Sequence, residues 1–315
     1  VRYYRDMPQW RELQQFLPER LRLDDNTAPG EEFWGWRGHS VHLDRYPNPS
    51  APAKVVLHHG VGTNGRQLTL ILGAPLARRG FETVALDNLW YGLTVLAPGT
   101  IPTYDDWIHL VVDFLAHERA RDDRPMVFFG LSAGGMVGYH AAAAAPSGTL
   151  GGLVGMTFLE QRDRRVRDAT SHDLFSARVG IPAMGMLART PLRGVRYPMT
   201  LAAKMSALVN DPAALRVMTR DRTSAGNWLP VAFLASYATY ARAVEPEDFD
   251  ACPILLTQPA ADRWTPLALS EPFLARIRKV PVETVLLDNA GHYPLEEPGL
   301  SQLESAVADF VTRST

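Results

Sequence analysis

Three side chains carry most of the chemical promise of this chain: a serine boxed in by glycines, an aspartate and a histidine, each just past a short apolar run. The serine is Ser132, in FFGLSAGGM (128–136), where Gly130-Leu-Ser132-Ala-Gly134 follows MVFFG and precedes a small-residue helical pattern. A hydroxyl becomes a useful nucleophile only when a base takes its proton. A sharp strand-to-helix turn needs small flanking residues, and it exposes the hydroxyl at the carboxyl edge of a sheet, over a helix N-terminus. The pattern alone is weak, since a bystander serine in a glycine turn spells the same string; the strand before it and the helix after it make it specific.

The base is expected to be His292, which follows glycine in DNAGHYP (288–294), directly after a strand-like run. His39, His42, His109, His117, His140 and His172 fall in strand, helix or insertion patterns and read as structural or surface residues. Asp262, in PAADRWTP (259–266), lies beyond the run CPILLT, where α/β folds place functional groups. Glu160, Asp163, Asp250 and Asp288 compete with it, but Asp288 is four residues from His292 on the same approach and is poorly placed to brace the ring from behind. The loop LHHGVG (57–62) follows another strand and can aim a backbone N–H at a developing oxyanion; the expected donors are the N–H groups of Val61 and Ala133. His58 and His59 are expected to point to opposite faces of a strand and to hold the loop, with no metal, because no third ligand stands at suitable spacing.

The elements that must position these residues alternate along the chain. FWGWR (33–37) and SVHLDRY (40–46) read as an antiparallel pair, and KVVLHHG, FETVALD, MVFFG, LGGLVGMTF, CPILLT and VETVLLD read as buried strands. Helical patterns fall between them, and that of TYDDWIHLVVDFLAHERA starts at the candidate cap Thr103. The fold class is therefore α/β, a mostly parallel sheet flanked by helices. A polar lead (1–30) with one amphipathic patch, at Trp10, Leu13, Phe16 and Leu17, precedes it. Between residues 160 and 249 the rhythm breaks into proline-punctuated helical pieces, read as an inserted helical cap; 1–159 and 250–315 form the core.

Of the 315 residues, 46% are hydrophobic and 21% charged, with a formal net charge of −2, so neither disorder nor nucleic acid binding is expected. The lone Cys252 reads as a buried, inert thiol. There is no run of about 18 apolar residues to insert stably in a membrane. The start, VRYYRDMPQW, lacks an apolar signal core, so a cytoplasmic location is expected.

Taken together, an oxyanion loop, Ser, Asp and His stand in the chain order of one known arrangement. Over residues 33–159 and 250–312 the chain resembles the α/β-hydrolase fold serine hydrolases. LHHGVG resembles their His-Gly oxyanion loop, DNLWYGLT (87–94) their Asp-x-x-Gly-x-Gly-x-Ser loop and GLSAGG their elbow; AADRWTP resembles the acid loop and NAGHYPLEEP the histidine loop. Trp90 stands where that loop usually has glycine, and is expected to narrow the pocket entrance. The resemblance implies a catalytic triad of Ser132, Asp262 and His292, an acyl-enzyme intermediate and no cofactor. A carboxylate at the elbow, as an epoxide hydrolase of this fold needs, is ruled out by Ser132.

The insertion offers Met184, Met186, Met199, Met205, Trp228, Phe233 and Tyr237, which either line a substrate tunnel or pack the insertion onto the core. Met184, Met186 and Trp228, with Trp90, are the expected substrate contacts. Among capped relatives the chain is most similar to monoacylglycerol-lipase-like and lysophospholipase-like esterases, which implies a small ester with an apolar acyl or alcohol part. A thioesterase, a C–C bond hydrolase or an acyltransferase would use the same triad, and a non-catalytic small-molecule receptor could share the fold. Oligomeric state is left open.

Overall fold

The computed structural model describes residues 2–315. Its strands are β1 (Gly30–Trp36), β2 (His39–Tyr46), β3 (Lys54–His58), β4 (Glu82–Leu86), β5 (Met126–Gly130) and β6 (Gly152–Gly155), then β7 (Arg196–Pro198), β8 (Trp228–Pro230), β9 (Ile254–Pro259) and β10 (Val282–Leu287). Eight of them form one sheet in the order β1-β2-β4-β3-β5-β6-β9-β10. The β1–β2 and β2–β4 pairs are antiparallel, and every later pair is parallel. Strands β3, β4 and β5 are buried along their whole length, because helices cover both faces; their unbroken apolar runs follow from that. The mostly parallel sheet flanked by helices is the expected architecture. The helix Tyr104–Arg121 begins where the Asp106 carboxylate accepts the Thr103 N–H at 2.7 Å. Among the described residues no helix is long and apolar enough to cross a membrane.

Two segments hold more structure than their sequence patterns announce. The polar lead is built into the core: Tyr4, Trp10, Leu13, Leu17, Leu21 and Leu23 are all buried. Residues 160–249, between β6 and β9, are not wholly helical, since β7 and β8 pair as a small antiparallel sheet within them. Three-residue strands are too short to show a period in sequence.

The lead is pinned by a buried charge cluster. Asp87, at the end of β4, accepts the Tyr4 hydroxyl at 3.0 Å, the Gly65 N–H at 2.8 Å and the Leu93 N–H at 2.8 Å, so one carboxylate ties the lead, a helix start and the 87–94 loop together. His42 lies between acids, with Nδ1 2.9 Å from Asp87 and Nε2 3.1 Å from Glu31. Arg66 is fully buried, holds both oxygens of Asp44 at 2.6 and 2.9 Å, and faces the Trp10 and Tyr4 rings. Ligating atoms of Glu31, His42 and Asp44 lie within 4.8 Å of one another, but Arg66, 3.4 Å from Glu31, fills the cationic role there.

Burial on its own lowers the His42 pKa; Asp87, then Glu31 and Asp44, outweigh it and raise it from 6.5 to about 10. A raised folded value means that the stabilisation is fully present below pH 6.5 and is lost as pH climbs through about 10. The unfolding midpoint is therefore expected to fall between these pH values, and the slope to flatten in His42→Gln. Equal slopes in thermal melts of the two proteins would refute the assignment.

Candidate active site

Each predicted site residue leaves the carboxyl end of a strand: Val61 after β3, Ser132 after β5, Asp262 after β9 and His292 after β10. Parallel strands deliver all four to one edge of the sheet. Ser132 is 5% exposed and sits at φ 53°, ψ −122°, a conformation that costs an L-residue about 1–3 kcal/mol and marks a site held under constraint. The turn closes only over glycine: a Cβ at Gly130 would come within 2.2 Å of the Gly134 carbonyl. The helix Ala133–Ala144 then starts with the Gly134 and Gly135 N–H groups bonded back to Leu131 and Ser132, leaving the Ala133 N–H unengaged among the described residues.

The 57–62 loop backs directly onto this elbow. A Cβ at Gly60 would meet the Leu131 carbonyl at 2.7 Å and the Ser132 Cβ at 2.8 Å, so only glycine lets the two chains approach. The Val61 N–H, like that of Ala133, bonds to no other group among the described residues. The expectation that His58 and His59 face opposite ways is corrected. Strand β3 ends at His58, alternation stops there, and the two buried rings stack at 5.5 Å, 13° apart. Both fasten the loop to Asn88: its N–H donates to His59 Nε2 at 2.9 Å, and its amide contacts His58 Nε2 at 2.5 Å. Burial lowers the pKa of each ring, consistent with neutral, structural imidazoles.

Asp262 and His292 meet directly, with Oδ2 2.8 Å from Nδ1. Oδ1 of Asp262 accepts the Trp264 and Thr265 N–H groups at 2.7 and 2.9 Å. Burial pushes the Asp262 pKa up, but the His292 charge and these hydrogen bonds win and bring it down to about 2, so the carboxylate is ionised across the working pH range. Thr265, which the motif reading passed over, donates its hydroxyl to Asp262 Oδ2 at 2.8 Å and lies 3.0 Å from His292 Nδ1. The Trp264 ring packs on the imidazole with centroids 4.7 Å apart. Nothing in the spacing of AADRWTP distinguishes Thr265 from a neutral loop residue. His292 Nε2 is buried and engages no polar group among the described residues, Ser132 Oγ included. Asp288, the rival acid, is exposed and exchanges two hydrogen bonds with Gln302 instead. Glu160 pairs with Arg162 and Arg242, and Asp163 caps the helix Arg164–Thr170.

Ser132 and Val61 open onto a cavity of about 170 Å³, walled on the far side by the 160–249 segment. Its lining is mostly apolar and includes Phe175, Met184, Met199, Leu201 and Leu234. Of the four expected substrate contacts, only Met184 lines it. Met186 is 70% exposed, and Trp228 lies half-exposed beneath Arg222. Trp90 is held away by its Nε1–H bond to the Pro102 carbonyl at 2.9 Å and by Arg196 over its ring. Phe233 and Met205 are buried packing residues instead.

Such an arrangement can raise a serine nucleophile against a carbonyl, receive its proton on an imidazole braced by a carboxylate, and offer two free N–H groups to a developing oxyanion. The profile of the alpha/beta hydrolase family matches residues 55–300. No curated protein matches in sequence. Among solved structures, a soluble variant of monoglyceride lipase from Saccharomyces cerevisiae, in complex with a substrate analogue, superposes with a TM-score of 0.73 at 17% identity, over 95% of this chain and 99% of that one. The monoacylglycerol lipase of Paleococcus ferrophilus gives 0.65 at 16%, over 87% and 99%. Epoxide hydrolase A from Mycobacterium thermoresistibile gives 0.58 at 18%, over 90% and 98%. At these identities the likeness speaks to fold alone.

Proposed function

The chain belongs to the alpha/beta hydrolase family, and from that premise we propose that it is a serine hydrolase cleaving carboxylic esters with an apolar acyl or alcohol part. The observation that carries this reading is the strained, nearly buried Ser132 standing on its elbow at the end of an apolar cavity. Ser132 Oγ attacks the ester carbonyl while His292 Nε2 takes its proton, and Asp262 fixes the ring and stabilises its charged form. The N–H groups of Val61 and Ala133 receive the oxyanion. His292 returns the proton to the departing alcohol, leaving an acyl-Ser132 ester. Water then attacks that ester, again giving its proton to His292, and the acid leaves as Ser132 is re-protonated. His292 Nε2 engages no other polar group among the described residues, so it is free to take that proton, and such catalytic hydrogen bonds often tighten only with substrate bound.

Residues 160–249 act as a cap over the acyl or alcohol part, and the apolar wall around Met184, Met199 and Leu201 sets its length. A serine at the elbow separates this chemistry from that of an epoxide hydrolase, which needs a carboxylate there. Profiling p-nitrophenyl esters of increasing acyl length tests the reading. The expected result is a maximum in kcat/KM at an intermediate chain length, with stoichiometric labelling by a fluorophosphonate. A folded protein that neither turns over any ester nor takes the label refutes it.

A further inference from the structure

One feature of the cavity wall is not explained by an apolar substrate alone. A recess of about 10 Å³ adjoins the main cavity and has room for one water-sized group. Leu159, Gln161 and Tyr237 line both spaces, so Gln161 and Tyr237 face the main cavity as well as the recess. Gln161 Nε2 donates to the Tyr237 hydroxyl at 2.9 Å. That bond leaves the Tyr237 O–H proton and the Gln161 side-chain oxygen Oε1 without a protein partner among the described residues. His140, from the helix Ala133–Ala144, also lines the recess; it is 8% exposed, and its ring makes no hydrogen bond to a described residue.

The charge state of this corner narrows what it can accept. Burial, then the nearby Arg242 and Arg162, push the His140 pKa down to about 3, so its ring is a neutral donor and acceptor. Glu160, also on the recess, has its charge taken up by Arg162 and Arg242. The recess thus offers the O–H of Tyr237, the side-chain carbonyl of Gln161 and one neutral imidazole, beside the tyrosine rings of Tyr104 and Tyr240, with no unpaired charge. A hydroxyl fits this set, because it accepts from Tyr237 while donating to Gln161 or His140. A carboxylate would find no free cation and would stand beside Glu160. A plain hydrocarbon would strip these groups of water and return nothing, which is how a polar site rejects the analogue lacking its hydroxyl.

We propose that the corner formed by Gln161, Tyr237 and His140 is a polar subsite that selects esters whose otherwise apolar part carries a hydroxyl group. The proposal rests on the serine hydrolase reading, since it names the substrate of that same cavity. It also separates tasks along the wall: the residues around Met184 hold hydrocarbon, while this corner fixes where along the chain the oxygen must lie.

The test compares p-nitrophenyl esters that are identical except for one hydroxyl, moved position by position along the acyl chain. At one position the hydroxylated ester is expected to exceed its plain counterpart in kcat/KM by about tenfold or more. Tyr237→Phe, which keeps the ring and its packing, is expected to bring that ratio to about one, as is Gln161→Leu. Fluorophosphonate labelling of each sample counts competent sites and shows that the variants are folded. Full labelling with a ratio near one at every position in the unmutated protein overturns the subsite and leaves the hydrolase standing. An unchanged ratio in Tyr237→Phe overturns it too. Absent labelling and turnover in the folded, unmutated protein would remove the hydrolase reading, and the subsite with it.

Discussion

Ser132→Ala is expected to lower kcat by about a millionfold, the loss found when the nucleophile of a cooperating triad is removed, while leaving the fold intact. An intact fold is what makes the experiment decisive. Ser132 holds φ at 53°, and alanine carries the same Cβ through the same strained turn, so the strain is neither relieved nor increased. Among the described residues the nearest expected partner, His292 Nε2, is already without a hydrogen bond, so losing the hydroxyl orphans no buried group there. Unfolding free energies should agree within the scatter of ordinary surface substitutions, about 0.5 kcal/mol. Activity and fluorophosphonate labelling should vanish together. Residual turnover above the free-solution rate, by up to about ten-thousandfold, is compatible with the N–H groups of Val61 and Ala133 still receiving an oxyanion. Retention of a few per cent of the original kcat is not, and would mean that another group attacks the substrate.

The elbow could be read from sequence because its requirements are local. A buried strand, a collision-prone turn and a helix start each leave a mark within ten residues, and Gly130 and Gly60 stand where a Cβ would strike backbone. The strands were legible for the same reason, since β3, β4 and β5 are buried on both faces and therefore apolar throughout. What escaped depends on contacts far apart in the chain. Nothing near Tyr4 announces that its hydroxyl meets Asp87, 83 residues on, and the amphipathic patch at Trp10 and Leu13 does not reveal which surface buries it. Gln161 and Tyr237 meet across 76 residues of irregular insertion.

Trp90 is an instructive intermediate case. Sequence marked it as a departure from a glycine position, and its φ of 74° explains why glycine is usual there. The side chain nevertheless turns to Pro102 and Arg196, away from the cavity, because an indole N–H inside the fold must find an acceptor. A backbone constraint could thus be inferred from residue type, whereas the direction of the ring depended on a carbonyl twelve residues away. His58 and His59 teach the converse. The alternation rule was sound, but the strand ended one residue sooner than the rule required.

Asp262→Asn should separate the two carboxylates near His292 more sharply than any geometric argument. The isosteric amide keeps size and can keep a hydrogen bond to Nδ1, but it carries no charge and can hold the imidazole in the wrong tautomer. A loss of about ten-thousandfold in kcat is therefore expected, with KM little changed. The local structure supplies a reason for the cost to be large. Thr265 already donates its hydroxyl to Oδ2 and two backbone N–H groups already donate to Oδ1, so an amide NH2 placed on either side faces a donor. Asp288→Asn serves as the control: that carboxylate is exposed and bonded to Gln302, and its replacement is expected to change kcat by less than about threefold. Comparable losses in the two variants would contradict the assignment, and a larger loss in Asp288→Asn would transfer the role of the acid to the end of β10.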